Sequence, residues 1–178
     1  MQTLTEKLYK ESIADFKKEF SYKNAMAVPR LKMISLNVGI KAGDSDNKFL
    51  PYLATQVSNI AGQKAVLTRA KKAISTYKLR EDLPIGCRVT LRGKKMYQFL
   101  DRLVNIALPR IRDFRGLSAK GFNQSAHYSF GIKEHTIFPE VNLDTVMKVF
   151  GMNINIVTTA KTKEEALFLL KKINFPIK

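Results

Sequence analysis

Gly86-Cys-Arg-Val-Thr-Leu-Arg92 places Cys87, Val89 and Leu91 in alternation with Arg88, Thr90 and Arg92. Period-two spacing puts three apolar side chains on one face of a strand. Two guanidinium groups and a hydroxyl take the other face. An ordinary solvated strand face mixes lysine, glutamate and threonine, yet no acid occurs between Leu83 and Leu100. The stretch therefore predicts a strand over 86–92 with a buried face and a cationic wet face.

The same reading extends outward. Ile34, Leu36, Val38 and Ile40 alternate with Ser35, Asn37 and Gly39, a strand whose wet face carries short polar groups. Residues 64–69 read as a short strand. Tyr128, Phe130 and Ile132 open another, expected to run to Phe138 before Pro139. Met152, Ile154 and Ile156 make a fifth.

Helices fall between the strands. Thr3 and Glu6 form a capping-box pattern ahead of Leu4, Leu8, Ile13, Phe16 and Phe20, predicting a helix over 4–20. Leu50, Leu53, Val57 and Ile60 predict a second, with Pro51 tolerated in its first turn and Gly62 stopping it. Residues 41–47 before it read as a Gly/Asp loop. Met96, Phe99, Leu100, Leu103 and Ile106 predict a third helix ending at Pro109. Thr162 and Glu165 cap a fourth through Ala166, Leu169, Leu170 and Ile173. The order α-β-α-β-β-α-β-β-α predicts an α+β fold: a mostly antiparallel sheet, helices packed on one face, and a long basic loop. At 178 residues the expectation is a single RNA-binding domain over 1–178.

Charge narrows the function. Lys and Arg number 31 against 15 Asp and Glu, for a net charge of +16 and a pI near 10.0. An excess of that size disfavours a metabolic enzyme and favours a polyanionic partner. It is also concentrated. Residues 64–120, which include Lys64, Arg69, Arg88, Arg92, Arg110, Arg112 and Arg115, hold 15 bases and four acids, so a third of the chain carries +11. Solubilising surfaces intersperse the two signs, so this segment reads as a binding footprint. Short polar groups and fixed arginine forks suit the shallow minor groove of A-form RNA, where 2′-hydroxyls and phosphates are accessible. The bland alternative is a wet sheet face with no ligand.

Residues 70–84 form a second constellation, with Lys71, Lys72, Lys78 and Arg80 around Tyr77. Folded back on itself, such an excursion reaches roughly 20 Å from the body. A basic arm bearing an aromatic suits contact with a nucleic acid outside its own domain; an arm with incidental charge is the alternative. A third is Leu108-Pro-Arg-Ile-Arg-Asp-Phe-Arg-Gly116, where Arg110, Arg112 and Arg115 are expected to face phosphate while Ile111 and Phe114 anchor the loop.

Catalysis finds little support. Cys87 is the only cysteine, which excludes a disulfide or a cysteine zinc site, and its register predicts a core residue. His127 and His135 are the only histidines, expected on one strand face but too far apart for one metal. No metal or other cofactor is expected. Gly93-Lys-Lys95 lacks the spacing and the hydroxyl of a phosphate loop. An rRNA-processing or rRNA-modifying enzyme is the competing class. No run of 18 apolar residues suggests a membrane span, and the first residues lack the apolar core of a secretory signal. The 4–20 helix carries acids on its polar side, which argues against membrane-surface binding.

Six stretches carry a resemblance: Val28-Pro-Arg30, Leu36-Asn-Val-Gly39, Pro84-Ile-Gly-Cys-Arg-Val-Thr-Leu-Arg-Gly93, Leu108-Pro-Arg-Ile-Arg-Asp-Phe-Arg-Gly-Leu-Ser-Ala-Lys-Gly121, Ile137-Phe-Pro-Glu140 and Gly151-Met-Asn-Ile-Asn-Ile-Val-Thr-Thr-Ala-Lys161. Over nearly its whole length the chain resembles the 5S-rRNA-binding "L five" family of bacterial large-subunit ribosomal proteins. The resemblance implies a non-enzymatic, cytoplasmic ribosomal protein in the central protuberance, binding 5S rRNA and helping attach it to 23S rRNA among neighbouring large-subunit proteins. It implies rRNA contacts at Asn37, Gln63, Thr90 and Arg92, and a P-site tRNA contact for the arm with Lys71, Lys72, Tyr77, Lys78 and Arg80. It further implies an intersubunit bridge to the small-subunit head protein "S thirteen", expected around Phe138, Glu140 and Asp144. Two departures stand out. Lys41 occupies a position where relatives often have glycine, and 122–128 reads Phe122-Asn-Gln-Ser-Ala-His-Tyr128 where relatives often have Phe-Asp-Gly-x-Gly-Asn-Tyr.

Overall fold

The computed structural model describes residues 3–40 and 49–178. The expected Gly/Asp loop at 41–47, with Lys41, lies outside the described residues. The elements are α1 (Leu4–Glu19), β1 (Leu31–Gly39), α2 (Phe49–Ala61), β2 (Val66–Arg69), β3 (Pro84–Leu91), α3 (Gly93–Arg102), β4 (Tyr128–Ile132), β5 (Met152–Thr158) and α4 (Lys163–Lys172). The strands form one sheet in the order β2-β3-β1-β5-β4. This is the expected α+β fold, with the expected order of helices and strands.

The chain gathers into two compact units, the first made of Met1–Ile34, Arg92–Phe130 and Asn155–Lys178, the second of Ser35–Leu91 and Gly131–Ile154.

In the first unit, α1 packs on both α3 and α4. Phe16 is fully buried, stacking on Phe20 at 5.7 Å and meeting the edge of Phe168 at 4.7 Å. The buried side of α1 is less apolar than its spacing suggests. Leu4 is 53% exposed, whereas Thr5 and Ser12 are buried. Both have partners: the Thr5 amide and hydroxyl donate to the Asp101 carboxylate, and Ser12 donates to the Tyr9 carbonyl. Two buried hydroxyls are tolerated because neither is left unpaired. At α4 the capping box is complete. Its Glu165 carboxylate also accepts from the Tyr22 hydroxyl at 2.7 Å. Burial and that carboxylate push the Tyr22 hydroxyl up to about 12.

The third helix is shorter than expected. It ends at Arg102, a wider turn takes over through Leu103–Ala107, and a tight turn follows at Leu108–Arg110. Pro109 has no N–H to donate and cannot extend a regular helix. The Leu108 amide reaches back to the Leu103 carbonyl, and Ile106 is left partly exposed.

In the second unit, α2 packs on β3 and buries Leu50, Leu53, Val57 and Ile60. The facing sides of β1 and β3 supply Leu36, Val38, Cys87, Val89 and Leu91, all buried. β4 stops at Ile132 and does not reach Phe138. The chain then turns at His135–Ile137, and the His135 amide bonds the Phe150 carbonyl at 3.1 Å. That bond closes residues 135–150 into a loop rather than lengthening the strand. In the first unit the divergent 122–128 segment is ordered by its own polar groups. The Asn123 side chain accepts from the His127 amide, and Ala126 takes a left-handed conformation at φ +59°.

Candidate nucleic-acid interface

Asn37, Arg88 and Thr90 lie on the side of the sheet opposite the α2 core. The Ile40 amide bonds the Ile85 carbonyl at 2.9 Å, fixing an antiparallel register between β1 and β3. In that register Asn37 sits opposite Arg88 and Ser35 opposite Thr90. Arg88 is exposed and Asn37 and Thr90 are half-buried. Ser35, expected on the wet face, is buried at 6% exposure. It lies on β1, the central strand of the sheet.

β2 extends this face, with Val66 opposite Arg88 and Thr68 opposite Gly86. The wet-face positions of the second unit on β1, β2 and β3 are Ser35, Asn37, Gly39, Val66, Thr68, Gly86, Arg88 and Thr90, and none is a carboxylate.

Gln63 joins the cluster through the way α2 ends. Gly62 adopts φ +63°, the left-handed turn that stops a helix. The turn carries Gln63 over to β3, where its side-chain amide donates to the Thr90 carbonyl at 3.2 Å. The Ser58 hydroxyl, accepting from the Ala65 amide at 2.8 Å, holds the following segment. Lys64 and Arg69 are both exposed at the ends of this short connection and strand.

The basic excursion is a hairpin more than a loop. Its base is closed by the Ala70 amide on the Leu83 carbonyl at 2.8 Å, and its tip by reciprocal bonds between Ile74 and Leu79 at 3.0 Å. Ser75–Tyr77 forms a tight turn, and Lys78 is left-handed at φ +53°. Every side chain from Lys71 to Lys78 is exposed, as is Arg80. Tyr77 is 67% exposed, a large aromatic with no place in the core.

Arg92, Arg110, Arg112 and Arg115 belong to the first unit, and all four are exposed. Arg92 directly precedes α3, its guanidinium 3.6 Å from the Met33 sulfur. The arginine loop is anchored as expected: Leu108 is buried, and Ile111 and Phe114 are half-buried. Gly116 turns at φ +96°, and Leu117 then exchanges backbone bonds with Pro176 and Lys178.

Of the expected bridge residues, Asp144 is exposed and Glu140 half-buried, but Phe138 is only 1% exposed. Phe138 is a core residue and cannot reach a partner with its side chain. The exposed apolar groups nearby are Leu143, Met147 and Val149, which the sequence reading did not single out. Their only signal was a run of large apolar residues without strand or helix period.

The groups weighed for catalysis are dispersed. Cys87 is fully buried, and desolvation pushes its thiol up to about 11, leaving it a protonated core residue. His127 and His135 do not share a strand. His127 precedes β4, and His135 is wholly buried beyond its end, stacked on Phe150 at 3.8 Å. Among the described residues no group of three or more His, Cys, Asp or Glu side chains could hold a metal ion, and no helix is long and apolar enough to cross a membrane.

A carboxylate-free, arginine-bearing sheet face and a projecting basic hairpin are features of a protein that binds a polyanion. Residues 24–80 match the family described as ribosomal protein L5, and residues 84–177 match the model of that ribosomal family's C-terminus. A relative from Geobacter sulfurreducens named large ribosomal subunit protein uL5 is 50% identical over 178 residues, covering 100% of this chain and 99% of its own. One of the same name from Desulfovibrio desulfuricans is 51% identical over 177 residues, covering 99% of each chain. The chain belongs to the ribosomal protein L5 family, a family of structural, non-enzymatic components.

Proposed function

We propose that this protein binds 5S rRNA through the wet face of β1–β3 and helps attach it to 23S rRNA in the central protuberance. The chain is a structural constituent of the large ribosomal subunit, and in a bacterium that subunit is cytoplasmic. One observation carries the finer reading. Asn37, Arg88 and Thr90 share one face with no carboxylate, and Gln63 is tied to the same strand by its bond to Thr90. Amide and hydroxyl groups exchange hydrogen bonds with ribose 2′-hydroxyls, while the guanidinium of Arg88 bridges phosphates. Lys64, Arg69, Arg92 and the Arg110, Arg112, Arg115 loop supply further phosphate contacts, and residues 1–178 act as one RNA-binding domain.

The hairpin with Lys71, Lys72, Tyr77, Lys78 and Arg80 is proposed to contact P-site tRNA. Its exposed lysines supply charge and Tyr77 a stacking surface. The intersubunit bridge to the head protein "S thirteen" is assigned to the loop bearing Glu140 and Asp144. From Glu134 to Val149 there are three carboxylates and one lysine, a local sign opposite to the rest of the chain. That sign favours a basic protein over RNA, and Leu143, Met147 and Val149 offer it apolar anchors.

The test is competition binding. The protein should hold 5S rRNA in preference to an unrelated structured RNA of equal length. Thr90→Ala and Arg92→Ala should each weaken binding by about 1–3 kcal/mol without unfolding the protein. Equal affinity for the two RNAs would defeat the assignment.

A further inference from the structure

The sheet continues onto strands absent from the interface described above. On β5, Met152 and Ile154 are buried, so Asn153 between them faces the other side, where it is exposed. Gly131 of β4 lies beside it: a Cβ placed on Gly131 would stand 3.3 Å from the Asn153 Oδ1. Gly131 is itself exposed on an edge strand. No hydrogen bond engages the Asn153 side chain among the described residues. An uncommitted amide thus stands next to a position with no side chain, on the exposed side of β5, which alternates with the buried Met152 and Ile154.

We propose that Asn153 and the bare flank at Gly131 form a further RNA subsite, which takes a ribose 2′-hydroxyl and its adjoining backbone. An amide donates and accepts, as a 2′-hydroxyl does, so one side chain can serve either polarity. The missing side chain at Gly131 lets a sugar–phosphate chain approach the main chain of the edge strand. A lysine or arginine in place of Asn153 would read phosphate charge alone; the amide reads the sugar. The subsite rests on the reading that this face meets 5S rRNA.

The experiment uses the full-length protein, 5S rRNA and three variants: Thr90→Ala, Asn153→Ala and Gly131→Leu. Asn153→Ala should weaken binding about fivefold, the loss of one hydrogen bond. Its melting temperature and its salt dependence should match the wild type, because no charge is removed. Gly131→Leu should weaken binding at least as much by covering the flank. A 5S rRNA carrying 2′-O-methyl groups throughout should bind wild type and Asn153→Ala equally. If Thr90→Ala weakens binding while Asn153→Ala and Gly131→Leu bind within twofold of wild type, the subsite is overturned and the main face stands. If the wild type shows no preference for 5S rRNA, it is the parent reading that fails.

Discussion

Gly86→Ala should unseat the interface from behind. A Cβ at this position would lie 2.1 Å from the Val38 carbonyl oxygen, 3.2 Å from its carbon and 3.3 Å from the Gly39 Cα. A close carbon–oxygen contact is ~3.3 Å, so the shortfall is about 1.2 Å. All three neighbours are backbone, and no side chain can swing away. β1 and β3 must part, or β3 must buckle. Overpacking of this kind costs about 1–3 kcal/mol. Loss of the bond from Ile40 to Ile85 adds about 1 kcal/mol. A total near 3 kcal/mol lowers the melting temperature of a chain this size by about 6–12 °C. Gly39→Ala is the control, because a Cβ there meets nothing within 4 Å; it should shift melting by less than about 2 °C. The assay is thermal unfolding by circular dichroism, with 5S rRNA binding measured well below both transitions. Gly86→Ala should also lose affinity, because the shift moves Asn37 away from Arg88. Melting of Gly86→Ala within about 2 °C of wild type would refute the close approach of the strands.

Further outcomes follow from the buried groups. The His135 Nδ1 accepts from the Phe150 amide at 3.4 Å, and burial lowers the pKa of the ring. A histidine that folds neutral binds fewer protons than its unfolded form, so stability is full above about pH 6.5 and declines below it. Protection factors across 135–150, which remove the intrinsic pH dependence of amide exchange, should therefore be lower at pH 5.5 than at pH 7.5, and His135→Asn should remove that difference; an unchanged pH dependence in the variant would rule out the histidine as its source. Asp101→Ala leaves the buried Thr5 hydroxyl unpaired and should destabilise the protein by about 1–3 kcal/mol in chemical denaturation, whereas an unshifted midpoint would show that the carboxylate does not hold α1. The Cys87 thiol should resist alkylating reagents at pH 8 until the protein unfolds, since burial holds it near 11; rapid labelling of the native protein would contradict its placement.

Period-two alternation made the strands readable, because each carries a core face and a wet face. Cys87, Val89 and Leu91 are buried against α2, and Arg88 faces solvent. Local alternation does not report where a strand stops. β4 ends at Ile132 because His135 bonds Phe150, fifteen residues away, and no short window contains both. Nor does it report depth within a sheet. Ser35 and Asn37 look alike in sequence, but on the central strand only the longer side chain stays accessible. The helical spacing of Leu4, Leu8, Ile13, Phe16 and Phe20 does not report the burial of Thr5 and Ser12, which is tolerable because Asp101 and Tyr9 supply partners. Asn153 alternates as plainly as Thr90. It carries no charge to mark it in the sequence, and its significance rests on a bare Gly131 on a neighbouring strand.

The most direct measurement is the affinity for 5S rRNA as a function of salt, for the wild type, Arg88→Ala and the α1 surface variant Lys17→Ala. If the sheet face grips the RNA, the wild type should show a steep fall in log affinity with log salt. Arg88→Ala should bind more weakly at every salt concentration, with its slope reduced by about one phosphate contact, and Lys17→Ala should overlay the wild type. Overlay of the Arg88→Ala and wild-type curves would mean that the face does not touch the RNA.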